Sequence, residues 1–194
     1  KTPILTADET RQLFDSIPTD SLKGLRDRAL IAVMVYSFAR VSAAVSMKVK
    51  DYYPEGKRWW VRLHEKGGKR HEMPAHHTLE KYLDEYLDAA GIRDQPNTPL
   101  FRTFQGGRKR VMTENAMVQT YGWQMIQRRA SAADIATKIG NHTFRGTGIT
   151  TYLNNNGTLE KAQQMAAHES PHITKLYDRA NDRMPLDEIE KIII

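Results

Sequence analysis

A chain of 194 residues is long enough for one domain with a real core, and 40% hydrophobic with 27% charged residues excludes a disordered polymer. Lys and Arg number 29 against 23 Asp and Glu, a formal net charge of +6 that points to a polyanionic partner, since clustered cations release the counterions condensed on nucleic acid. The absence of cysteine excludes disulfides, zinc fingers and thiol nucleophiles, and no apolar run approaches the roughly 20 residues that cross a bilayer.

Thr6-Ala7-Asp8-Glu9 has capping-box spacing and predicts a first helix to Ile17, stopped by Pro18. From Leu25 to Phe38 apolar residues are so dense that the helix must be nearly surrounded by protein. A short helix is expected over Ser42 to Met47. Trp59 to Leu63 and Arg70 to Met73 read as strands joined by the turn Lys66-Gly67-Gly68-Lys69, a hairpin. Leu79, Tyr82, Leu83, Tyr86 and Leu87 follow helical spacing up to Gly91.

Asn97 to Lys109 reads as a loop and Thr113 to Arg128 as a helix. Two more helices are expected over Thr143 to Leu153 and Thr158 to Ala167. Ser170 and Pro171 suit the cap and first position of another, which carries Tyr177. Pro185 opens a last short helix. The expected fold is mainly α with one small antiparallel β-sheet, an α+β domain. It divides into residues 1–181 and a tail helix, 182–194.

The chemistry-bearing residues fall in a fixed order. Arg40 closes the buried helix, Lys66 sits in the hairpin turn, and His142 and Arg145 share one helix face. His168 follows 23 residues after Arg145, and Tyr177 nine after that. The segments Phe38-Ala39-Arg40-Val41-Ser42, Glu65-Lys66-Gly67-Gly68-Lys69, His142-Thr143-Phe144-Arg145-Gly146-Thr147, Ala167-His168-Glu169 and Thr174-Lys175-Leu176-Tyr177 together resemble the tyrosine recombinase (phage integrase) family across nearly the whole chain. The fold the resemblance implies is that family's catalytic domain.

Residue chemistry fits that resemblance. In-line attack on an anionic phosphodiester spreads charge onto nonbridging oxygens, which guanidiniums grip bidentately, so Arg40 and Arg145 suit the clamp. His168 would be a third donor, and His142 a donor or acceptor beside the nucleophile. A phenol with a pKa of about 10 attacks poorly at neutral pH, and cationic surroundings favour its phenolate. That phenol would be Tyr177. Lys66, on a turn, could protonate the leaving 5′ oxygen.

The resemblance further implies a 3′-phosphotyrosine intermediate, a Holliday junction, no metal, ATP or other cofactor, and double-stranded DNA as partner. It implies a homotetramer on two DNA sites, with the isolated domain a monomer, and an N-terminal DNA-clamp domain that this chain does not carry. The expected role is site-specific recombination or integration, in the cytoplasm and associated with the nucleoid, with no membrane partner. Related readings are a type IB topoisomerase-like relaxing enzyme and a DNA-binding domain with vestigial catalysis.

Two positions depart from the family pattern. Ala43 stands where an acidic residue often follows the first arginine, which puts the positioning of Arg40 in question, and Gly146 stands where histidine often follows the second. Lys69, Arg70, Arg108, Lys109, Arg110, Arg128 and Arg129 could contact DNA or be solvated charge. His71, His76 and His77 lie among cations without a convergent carboxylate pair, so no metal site is expected. The tail, with four acidic and two basic residues from Asp182 and an apolar stripe of Leu186, Ile189, Ile192 and Ile193, is expected to dock on a neighbouring protomer.

Overall fold

Thr6 opens helix α1 (Ala7–Ser16) with the expected capping box: its hydroxyl accepts from Glu9 N–H, and the Glu9 carboxylate accepts from Thr6 N–H at 3.0 Å. The same carboxylate accepts from the hydroxyl of Thr137 at 2.8 Å, which pins α1 to the loop before the later helices. The computed structural model describes residues 1–107, 110–140, 142–167, 174, 190, 191 and 193. The expected helix from Ser170 and nearly all of the tail helix lie outside them.

Helix α2 (Leu22–Tyr36) starts three residues before the expected Leu25, because Ser21 caps it through the N–H of Gly24. Every residue from Arg26 to Val35 is buried, as the dense apolar pattern requires. Its charged members are paired internally: Asp27 accepts from Arg26 at 2.7 Å and from Arg129 at 2.9 Å, and Arg26 donates to the Arg102 carbonyl at 2.7 Å. A buried carboxylate requires such partners.

The chain leaves α2 at Tyr36 rather than running on to Phe38. Phe38 adopts a left-handed φ of 55°, and Arg40 becomes the N-cap of α3 (Val41–Val45) instead of closing the preceding helix.

The expected hairpin is present as β2 (Arg58–His64) and β3 (Arg70–Pro74), with Leu63 opposite His71. The structure adds β1 (Tyr52–Glu55) on its outer edge. That strand contains Pro54, which an edge tolerates but which masks the strand in the sequence. Helix α4 (His77–Ala90) ends at left-handed Gly91 and packs on α2.

A second, two-stranded sheet replaces part of an expected loop and helix. Strands β4 (Arg102–Phe104) and β5 (Met112–Ala116) pair antiparallel, and the Thr103 and Thr113 hydroxyls meet at 2.5 Å. Helix α5 (Gln119–Ala132) therefore begins six residues after Thr113. The local helical preference of that stretch yields to cross-strand pairing.

Helices α6 (Thr143–Asn154) and α7 (Leu159–Met165) complete the described elements. Along α6 the approach to α2 is so close that a Cβ on Gly148 would lie 2.0 Å from the Val35 carbonyl oxygen and 2.8 Å from the Phe38 ring. Only glycine fits there. Gly148→Ala is expected to cost about 2–3 kcal/mol in denaturant unfolding by overpacking. Gly106→Ala, with nothing within 4 Å of the added methyl, is expected to stay within about 0.5 kcal/mol of the parent, and equal stability of the two variants would contradict this contact.

Candidate active site

The sharp turn after α2 is where the site begins. Phe38 bears the cost of a left-handed backbone because its surroundings fix it from two sides. Its ring packs with Ile149 and Leu153 of α6, and its carbonyl accepts from Arg145 Nη1 at 2.7 Å. Arg145, only 3% exposed, also donates through Nη2 to the carbonyl of Ala166 at the end of α7. One guanidinium thus joins the α2–α3 corner to the α7 terminus.

Both arginines of the expected constellation come to the same carboxylate. Arg40 Nη1 donates to Glu65 Oε2 at 2.8 Å, and Arg145 Nη1 lies 3.9 Å from Glu65 Oε1. Glu65 begins the hairpin turn, its side chain 4% exposed, while Arg40 is 37% exposed. The turn closes through Glu65 N–H donating to the Lys69 carbonyl at 2.7 Å, with Gly67 and Gly68 at positive φ. Lys66 is thereby held on an exposed tip next to the residue that engages the arginine pair.

His142 is the N-cap of α6, one turn ahead of Arg145. Although the residue is exposed, the protein behind its ring, followed by the charges of Arg145 and Arg40, pushes its pKa below the ordinary value of 6.5. A lowered pKa favours the neutral imidazole, the form able to accept a proton. Of the six expected residues, Arg40, Arg145 and His142 lie near one another, and Lys66 is on the exposed hairpin turn next to Glu65. His168 and Tyr177 lie outside the described residues. Ala167, at a left-handed φ of 50°, leads into His168, and Thr174, three residues before Tyr177, is buried.

Other expected contacts distribute unevenly. Lys69 and Arg70 are exposed on the hairpin, and Arg70 also pairs with Glu72 at 2.5 Å. Arg110 is exposed; Arg108 and Lys109 lie outside the described residues. Arg128 is 49% exposed and Arg129 only 14%, because both reach inward to Asp27. The bulk of Arg129's charge faces the core rather than solvent.

Sequence reasoning missed Glu65 as a partner of both arginines, and it missed Lys23. Burial, followed by the charges of Arg128 and Arg26, lowers the Lys23 pKa, and Lys23 lines a hollow of about 80 Å³ with Arg128 and Tyr121. His71 donates through Nε2 to the Met165 carbonyl at 2.8 Å, a second tie between hairpin and α7. His76 stacks between Tyr36 and His77.

Both guanidiniums are charge-assisted donors of the kind that grips anionic oxygens. Residues 3–184 match the family described as "Phage integrase family". The chain belongs to the phage integrase family.

Among curated relatives, the tyrosine recombinase XerD of Mycobacterium tuberculosis is 27% identical over 181 residues, covering 89% of this chain and 55% of that protein. The chain thus spans about half the length of such relatives. Among solved structures, XerH recombinase in a post-cleavage complex with a palindromic difH substrate superposes with a TM-score of 0.74 at 24% identity, over 99% of this chain and 54% of that one. A lambda integrase tetramer bound to a Holliday junction superposes with a TM-score of 0.64 at 17% identity, over 87% of this chain and 47% of that one. These likenesses establish the fold as that of a tyrosine recombinase catalytic domain.

The ionisation of His142 is directly measurable. Its imidazole is expected to titrate by NMR with a midpoint below 6.5, and Arg40→Ala should move that midpoint upward by removing a neighbouring cation. Because the folded pKa is depressed, the stability linked to this group is present above pH 6.5 and lost as pH falls through the folded value. A midpoint at or above 6.5 would contradict the geometry.

Proposed function

We propose that this family member breaks and rejoins duplex DNA by site-specific recombination, with Tyr177 as nucleophile. The Tyr177 phenolate oxygen attacks phosphorus, the bond from phosphorus to the 5′ oxygen breaks, and a 3′-phosphotyrosine link forms. Lys66 supplies the proton that the departing 5′ oxygen requires. Arg40, Arg145 and His168 hold the nonbridging oxygens as charge develops on them, and neutral His142 accepts or relays the phenol proton. The observation that best supports this reading is the meeting of Arg40 and Arg145 at one carboxylate beside His142.

The phosphotyrosine bond retains the energy of the broken diester, so rejoining needs neither ATP nor metal. Attack by a 5′ hydroxyl from a second duplex reverses the chemistry and exchanges strands. XerH's post-cleavage complex with its DNA substrate and the lambda integrase tetramer on a Holliday junction favour double-stranded DNA and a homotetramer on two sites. The isolated domain would be a monomer, acting in the cytoplasm on nucleoid DNA. Lys69, Arg70, Arg110 and Arg128 would hold the DNA backbone, together with Arg108 and Lys109.

The tail, 182–194, would dock on a neighbouring protomer. Ile193 is 90% exposed, an apolar side chain that its own domain leaves uncovered. Docking beyond the nucleophile would couple one active site to the next.

A duplex nicked just beside the cleavage site traps the covalent intermediate, because the short leaving fragment diffuses away. Incubated with it at low salt, the chain is expected to form a covalent protein–DNA adduct. Tyr177→Phe should abolish that adduct while DNA affinity stays within about threefold, as a phenyl ring keeps the packing and loses only the hydroxyl. Undiminished adduct in that variant would overturn the assignment.

A further inference from the structure

We propose that Glu65 is a positioning residue for the arginine pair, supplying from the hairpin the carboxylate that position 43 lacks. This rests on the reading of the chain as a DNA-cleaving enzyme. Arg40 begins α3, and Ala43, three residues on, is buried and apolar. Nothing on that helix turn can orient the guanidinium by charge. Glu65 arrives instead from the hairpin, 25 residues later, with Oε2 at 2.8 Å from Arg40 Nη1 and Oε1 at 3.9 Å from Arg145 Nη1.

Burial separates a positioning carboxylate from one that merely imitates a bound phosphate. Glu65 is nearly inaccessible, whereas Arg40 remains over a third exposed, and Arg40 Nε and Nη2 have no partner among the described residues. Glu65 therefore fixes one nitrogen of Arg40 and leaves other donors for an incoming anion. Its negative charge also offsets the repulsion between two neighbouring guanidiniums, which would otherwise drive them apart. The carboxylate is itself held by the turn, through Glu65 N–H donating to the Lys69 carbonyl. Because Lys66 is the next residue, the same turn places the proton donor and aims the clamp.

Glu65→Gln keeps the size of the side chain and removes its charge. On the nicked duplex, its rate of adduct formation at saturating DNA is expected to fall roughly ten- to a hundredfold, somewhat less than the loss of a preorganised donor outright. The dissociation constant for the same duplex should stay within threefold or tighten, since a negative charge is removed from a basic surface.

A rate within threefold of the parent would overturn the proposal, as would parallel loss of rate, affinity and melting temperature, the mark of a scaffold residue. If Glu65→Gln does not fold, Glu65→Asp replaces it: it keeps the charge, draws it back by one methylene, and should lower the rate at least threefold at unchanged affinity. Failure of the parent chain itself to form an adduct would count against the proposed function. An adduct indifferent to position 65 would count against Glu65 alone.

Discussion

A guanidinium removed from water is the constraint on which this structure depends. Arg145 is almost wholly buried, so its charge and donors must be satisfied by protein, and an arrangement that leaves them unmet is costly. It meets the carbonyls of Phe38 and Ala166 and lies near the carboxylate of Glu65. Phe38 is left-handed, and Ala166 is followed by left-handed Ala167. Arg145 therefore rigidifies two backbone corners, the one from which Arg40 extends and the one at the end of α7.

The surrounding helices make that burial possible. Gly148 lets α6 lie against α2 at a separation no larger residue permits, which brings the start of α6 beside the end of α2. The β2–β3 hairpin then closes over the corner, tied to α7 by His71 and to the arginines by Glu65. Each contact is modest, but they converge on a few backbone atoms. A site built this way is preorganised before any ligand arrives, which is the condition for electrostatic catalysis to be effective.

What could be read in the sequence was what depends on neighbours along the chain. The Thr6 capping box, the glycine turn at Gly67 and Gly68, and the all-round apolar pattern of α2 are local signals, and each has its counterpart in the structure. The order of Arg40, Lys66, His142 and Arg145 was equally legible. The misses are long-range. β4 and β5 pair across an intervening loop, Arg102 opposite Ala116 and Phe104 opposite Met112, a pairing that no window of sequence displays. Arg129 looks like a surface cation beside Arg128, and only the fold turns it toward Asp27. Glu65 reads as a turn residue, because its partner Arg40 lies 25 residues earlier. Position 43, where the family often has an acidic residue, is alanine, whereas the hairpin supplies a carboxylate at Glu65.

If Arg40 and Arg145 act as one anion clamp, both must touch the reacting phosphate. Crystallography of the chain with a nicked duplex would locate the scissile phosphate in density. Its nonbridging oxygens are expected within about 3 Å of donors on both guanidiniums, the ordinary hydrogen-bond range, with Glu65 still behind Arg40. A phosphate seated elsewhere on the basic surface, with neither arginine in contact, would rule the clamp out.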